Sequence, residues 1–105
     1  MRKALIKIHD TKAGTLVESH MHYVFQYDLG YDGPPISLTM PVRDDAFEFE
    51  SFPPFFDGLL PEGIQLEGLL KKYKIDKTDY FSQLLVTGQD LVGAVTIETI
   101  NSIDE

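Results

Sequence analysis

Few side chains in this sequence have the type and spacing that chemistry requires. His20 and His22 form an H-x-H pair that a strand would present on one face, and imidazole is a good ligand for Zn, Ni or Cu. A closed metal site needs further ligands, and no carboxylate or third histidine is placed to supply them. The pair therefore reads as a solvated strand start, and no metal is expected. Asp44-Asp45 is a possible carboxylate dyad, but paired carboxylates of the glycosidase type must flank a cleft, and adjacent acids in a loop read as a turn. The sequence holds no G-x-x-x-x-G-K-[ST], no G-x-G-x-x-G and no G-x-S-x-G. It also has no cysteine, which removes thiolate catalysis and Cys-based zinc sites together. The chain is not expected to be an enzyme on its own, and no cofactor is expected.

Recognition is the better prospect. Leu66, Leu69, Leu70 and Tyr73 fall at i, i+3, i+4 and i+7, the apolar stripe of an amphipathic helix over 62–73. At about 100° per residue Ile64 lies about 170° from the centre of that stripe, on the side shared by Gly68 and Lys71. An apolar residue facing solvent there is a candidate knob for a partner's pocket. Between residues 44 and 67 the ionisable side chains are Asp44, Asp45, Glu48, Glu50, Asp57, Glu62 and Glu67, with no Lys or Arg among them. Such a stretch carries a negative potential that steers toward a basic cleft, or else serves solubility alone.

These candidates must be positioned by a small domain. The chain has 105 residues, enough for one domain with one core and too few for a large enzyme. With 43% hydrophobic and 25% charged residues it has the composition of a folded protein. Its 9 Lys+Arg against 17 Asp+Glu, a net charge of -8, argue against direct nucleic-acid binding, which rests on cations neutralising phosphates. The apolar stretch after Met1-Arg2-Lys3 breaks at Lys7, His9, Asp10 and Lys12, too early for a signal peptide, and no run is long enough to span a membrane. A cytoplasmic location is expected.

The first half reads as strands. Ala4, Ile6 and Ile8 alternate with Leu5, Lys7 and His9, a turn is expected at 10–14, and a short strand at 15–18 closes a hairpin. The strand over 22–28 puts Tyr23, Phe25 and Tyr27 on one face. A further strand is expected over 36–42, with Ile36, Leu38 and Met40 inward, and 47–50 is ambiguous. Pro53 and Pro54 suit the start of a short helix carrying Phe55, Phe56, Leu59 and Leu60, ended by Pro61. After the helix over 62–73, a third is expected over 77–87, with Asp76 and Asp79 capping it and Gly88 in the left-handed conformation at its end. The last strand is 91–97, and the chain is expected to fray from Glu98. The domain therefore covers 1–100 with a flexible tail at 101–105. The fold class is α+β: a small, twisted antiparallel β-sheet or partial barrel with two to three helices.

Phe55-Phe56-Asp57-Gly58-Leu59-Leu60-Pro61-Glu62-Gly63 resembles the FFDxLLP-type segment of the N-terminal subdomain of HipA-like serine/threonine kinase toxins. Gly88-Gln89-Asp90-Leu91-Val92-Gly93-Ala94-Val95 resembles the closing G-x-D-x-V-G-A-V segment of that subdomain, and Ser37-Leu38-Thr39-Met40-Pro41 its S-L-S-[ML]-P stretch. The order and spacing fit over about residues 3 to 100, whereas the kinases continue into a much longer catalytic region. The chain is similar in this to HipS of the tripartite HipBST toxin–antitoxin systems. That resemblance implies an antitoxin that binds and inhibits a HipT-like kinase, beside a HipB-like helix-turn-helix protein in a ternary complex. The residues expected to meet the kinase are Asp57, Glu62, Gly63, Ile64, Gln65, Gly68 and Lys71, with Ile64 and Gln65 reaching toward its active site. Phe55, Phe56, Leu59 and Leu60 are expected in the core. The rival expectations are a non-inhibitory assembly subunit that bridges the kinase to the HipB-like protein, and a degenerate subdomain with no role of its own.

Overall fold

In the computed structural model, which describes residues 2–20, 22–88 and 95–99, the chain forms five strands and three helices. They are β1 (Arg2–Ile8), β2 (Thr11–Ser19), β3 (His22–Tyr27), β4 (Phe47–Phe49), α1 (Pro54–Asp57), α2 (Gly63–Tyr73), α3 (Tyr80–Gly88) and β5 (Val95–Thr99). The strands make one antiparallel sheet in the order β4-β3-β2-β1-β5, so it is an open sheet with β4 and β5 at its edges.

Alternation in the sequence decides which face is buried. Ala4, Ile6 and Ile8 of β1, Leu16 of β2, Tyr23, Phe25 and Tyr27 of β3, Phe47 of β4 and Ile97 of β5 all turn to the core face. Phe56, Phe81 and Leu84, each fully buried, cover that face from α1 and α3. The link from β1 to β2 is shorter than the expected turn at 10–14. His9 and Asp10, with φ of 48° and 66°, make a two-residue hairpin turn whose backbone matches the strand twist. Residues 11–14 therefore belong to β2, and the register shift opposite Ile6 and Lys7 moves the buried positions from Ala13 to Leu16. Gly14 is needed inside the strand and not in a turn. A Cβ there would lie 2.3 Å from the Gln26 carbonyl oxygen and 2.9 Å from the Phe25 ring.

The strand expected over 36–42 is not formed. Ile36 and Met40 are buried as expected, but Leu38 is 97% exposed at the tip of a tight turn closed by the Met40 N–H on the Ser37 carbonyl, at 3.1 Å. The Ser37 hydroxyl also accepts the Thr39 N–H, and the prolines at 34, 35 and 41 deny the stretch a ladder. The Tyr27 side chain, besides the burial of Ile36 and Met40, ties this turn to the sheet. The Tyr27 hydroxyl accepts the Ile36 N–H at 3.0 Å and donates to the Met40 carbonyl.

The helical half also departs from the expected boundaries. α1 is a single turn starting at Pro54, and Leu59 and Leu60 follow it in turns whose N–H groups meet the Phe56 and Asp57 carbonyls. α3 begins at Tyr80, not 77. Asp79 accepts from the Ser82 N–H and hydroxyl, which caps the first turn, while Asp76 accepts from the Thr78 N–H and hydroxyl in a separate turn before it. Gly88 lies within α3 and has no positive φ. A Cβ there would sit 2.5 Å from that of Ile97, so the glycine is demanded by the close approach of α3 to β5. Glu98 does not fray: it pairs with Leu5 in the ladder and its carboxylate meets Lys7. Residues 91–94 of the expected last strand and the tail at 101–105 lie outside the described residues.

Arg2 ties the sheet to α3. Its guanidinium donates to Glu18 at 2.7 Å, to Asp79 at 2.9 Å and to Ser82 at 2.7 Å, and lies 5.0 Å from the Phe81 ring centre. Burial pushes the Asp79 carboxyl up, but the bonds from Arg2 and Ser82 outweigh it and hold the group below the usual carboxylate range. A depressed native pKa contributes stability above the unfolded value of about 3.9, and that stability is lost as pH falls through the native value. Melting temperature is therefore expected to drop on acidification below about pH 4. Asp79→Asn should lower stability at neutral pH and flatten part of the acid slope; an unchanged slope would remove Asp79 from the account.

A candidate interaction face on the second helix

α2 stands apart from the rest of the fold. α1 and β5 pack against α3, whereas α2 packs closely against no other helix or strand among the described residues. Its stripe is correspondingly half covered. Leu66, Leu69 and Leu70 are partly buried, and Tyr73, expected in the core, is 44% exposed with the Lys72 ammonium 5.3 Å from its ring centre. Local backbone geometry sets both ends of the helix. Gly63, at φ +59°, turns the chain into α2 after Pro61 and Glu62. At the other end Lys74 takes the left-handed conformation and gives its N–H to the Leu70 carbonyl.

All seven residues singled out from the sequence are exposed. Asp57 closes α1 and Glu62 occupies the position before α2. Together with Leu60, Leu66, Lys77 and Tyr80 they border a cleft of about 250 Å³ between the three helices. Ile64 is 86% exposed. Ile64, Gly68 and Lys71, at i, i+4 and i+7, form one outward ridge, and Gln65 flanks it. Beyond the helix's own backbone and its chain neighbours, no heavy atom comes within 4 Å of a Cβ built at Gly68, so the ridge is open there. The fold thus brings two sets together: a cleft bordered by Asp57 and Glu62, and an outer ridge centred on Ile64. The carboxylates at 44, 45, 48, 50, 57, 62 and 67 are all solvent-exposed, so the negative potential of this half is real surface charge.

The two histidines do not share a strand face. His20 sits in the link between β2 and β3 with φ 51°, outside both strands, while His22 opens β3 with its Nε2 3.4 Å from Glu48. No three described His, Asp or Glu side chains gather as a metal site. Sequence reasoning missed Gln83, which is buried and donates to the Asp76 and Lys77 carbonyls beneath the cleft. Its position between Phe81 and Leu84 on the buried side of α3 was the available signal. Leu29, 96% exposed, is another residue that sequence reasoning misses, because an apolar residue in a loop carries no periodicity to read, whereas Leu38, inward by its strand spacing, is 97% exposed.

A HipA N-terminal domain family match covers residues 4–98. The chain belongs to the HipA N-terminal domain family. A solved structure described as the N-terminal domain of HipA toxin superposes with a TM-score of 0.77 at 30% identity, covering 97% of this chain and 95% of that one. A curated protein of Haemophilus influenzae, named only as uncharacterized, is 32% identical over 98 residues, which are 93% of this chain and 92% of that protein. The five-stranded antiparallel sheet with three helices is the HipA N-terminal domain fold. In this member of the family the FFDxLLP-type segment divides by role. Phe56 is fully buried, Phe55, Leu59 and Leu60 pack partly buried against the core, and Asp57, Gly58, Glu62 and Gly63 face solvent. No helix among the described residues is long and apolar enough to cross a membrane.

Proposed function

We propose that this HipA N-terminal domain homologue is an antitoxin that binds a HipT-like kinase and inhibits it by contact, without chemistry of its own. The observation that carries the reading is α2: a helix with an 86%-exposed isoleucine, a half-covered apolar stripe and no closely packed helix or strand among the described residues. A helix in that state gains stability by docking. Its acidic surroundings suit a kinase active site, where cations hold phosphates. Family membership supports the toxin–antitoxin setting. A HipB-like helix-turn-helix protein is proposed as the third component, and the complex is proposed to be cytoplasmic.

The test is autophosphorylation of the cognate HipT-like kinase with wild type or Ile64→Asp added. Aspartate near a helix N-terminus favours the dipole, and position 64 is exposed, so the variant should fold as well as wild type by circular dichroism. Wild type is expected to suppress the kinase. Ile64→Asp should weaken suppression by about 30-fold or more, the effect of truncating a central contact worth about 2 kcal/mol. No suppression by wild type would end the antitoxin reading, and equal suppression by both would move the contact away from this ridge.

A further inference from the structure

The sheet edge at β4 carries a second surface, remote from the α2 ridge in sequence and built differently. Phe47 and Phe49 turn to the core side and, with Thr39, Met40, Pro54 and Phe55, line an apolar groove of about 350 Å³. A dry cavity of about 150 Å³ already admits benzene, so the groove has room for a large apolar side chain. Glu48, between the two phenylalanines, points to the opposite face and is exposed. Glu50 follows it, and Asp44 and Asp45 precede the strand, all exposed. The nearby cationic or titratable groups are His22, 3.4 Å from Glu48, and Arg43, which stacks 3.6 Å over the Phe47 ring and donates to the Asp45 and Ala46 carbonyls. Carboxylates therefore dominate this rim. β4 is outermost in the sheet, and its outer backbone edge pairs with no other described backbone.

We propose that the β4 edge binds an extended basic segment of a partner protein, which adds a strand to the sheet. Strand pairing fixes the pattern of the ligand, because successive side chains of an added strand fall on opposite faces. One set would enter the groove beside Phe47 and Phe49 and must be apolar. The alternate set would lie beside Glu48 and must be Lys or Arg to match it. A second copy of this chain is the poorer occupant, since pairing β4 with β4 would set Glu48 and Glu50 against their own kind.

Selection of random short peptides displayed against the wild-type protein tests this, with Glu48→Lys/Glu50→Lys as the counter-target. Enriched peptides are expected to alternate apolar residues with Lys or Arg. A synthetic copy of the best of them should bind the double variant at least about tenfold more weakly, bind Ile64→Asp unchanged, and lose affinity when N-methylated at alternate residues. Its addition should slow exchange of the 47–49 amides. Both substituted positions are exposed, and Glu48→Gln/Glu50→Gln, with no reversal of charge, serves as the second variant if the first is poorly folded. The proposal is overturned if nothing is enriched, if enriched peptides have no basic bias, if they bind the variants equally, or if N-methylation leaves affinity intact. Any of the last three would leave Glu48 as a guard against edge-to-edge association only.

Discussion

Phe56→Ala is expected to remove about 3–5 kcal/mol of folding stability, the range measured for emptying a buried aromatic site. Phe56 is fully buried, its ring centre 6.1 Å from that of Phe25 in β3 and 5.2 Å from that of Phe55. It is the one fully buried side chain of α1, a single helical turn with no side-chain cap, so little else in that turn can compensate. The total stability of a domain is about 5–15 kcal/mol, which makes this one ring a large share of it. Urea unfolding should show a lower midpoint at unchanged slope. Phe55→Ala, at a half-buried position, should cost clearly less. A loss below about 1 kcal/mol for Phe56→Ala would mean that α1 closes over the cavity, a degree of relaxation that close-packed cores rarely allow.

Gly14→Ala is the second large effect, and it acts by crowding. The added carbon would lie 2.3 Å from the Gln26 carbonyl oxygen, which belongs to the neighbouring backbone and cannot step aside as a side chain would. Either β2 and β3 part locally or the Phe25 ring, 2.9 Å away, leaves its place in the core. Overpacking of this kind costs about 1–3 kcal/mol and sometimes more, and here the upper end is expected. Gly68→Ala is the natural comparison. It adds the same methyl on an exposed helix with open space around it, where alanine is favoured over glycine by up to about 1 kcal/mol. Melting temperatures should move in opposite directions for the two variants. A tolerated Gly14→Ala would show that the β2–β3 pairing is looser than the described register.

The parts of the fold that were legible in the sequence are those with a clean period. Ala4, Ile6 and Ile8, and Tyr23, Phe25 and Tyr27, alternate without interruption, and both sets are buried. The spacing in α2 placed Ile64 outward, where it is. Where a residue type serves two purposes, sequence reading chose the local one. Gly14 and Gly88 were read as turn and cap, but both exist to let another backbone or side chain approach. Ile36, Leu38 and Met40 have strand spacing, yet a tight turn fixed by Ser37 and the Tyr27 hydroxyl buries the outer two and exposes the middle one. The stripe of α2 was read as buried because a stripe states only that a helix has an apolar side. It does not state whether this chain supplies the surface that covers it.

The sheet order also bears on how the chain is made. β1, β2 and β3 are consecutive hairpins and can pair as soon as each leaves the ribosome. The far side of β1, however, waits for Val95–Thr99, which is made after every other described strand. Until then Ala4, Ile6 and Ile8 belong to an open edge, which is a template for pairing with another nascent chain. Joining the first strand to the last is also the longest loop closure in the molecule, and such closures slow folding. The edge of β1 therefore stays open while the other described strands are made, and a single strand closes it.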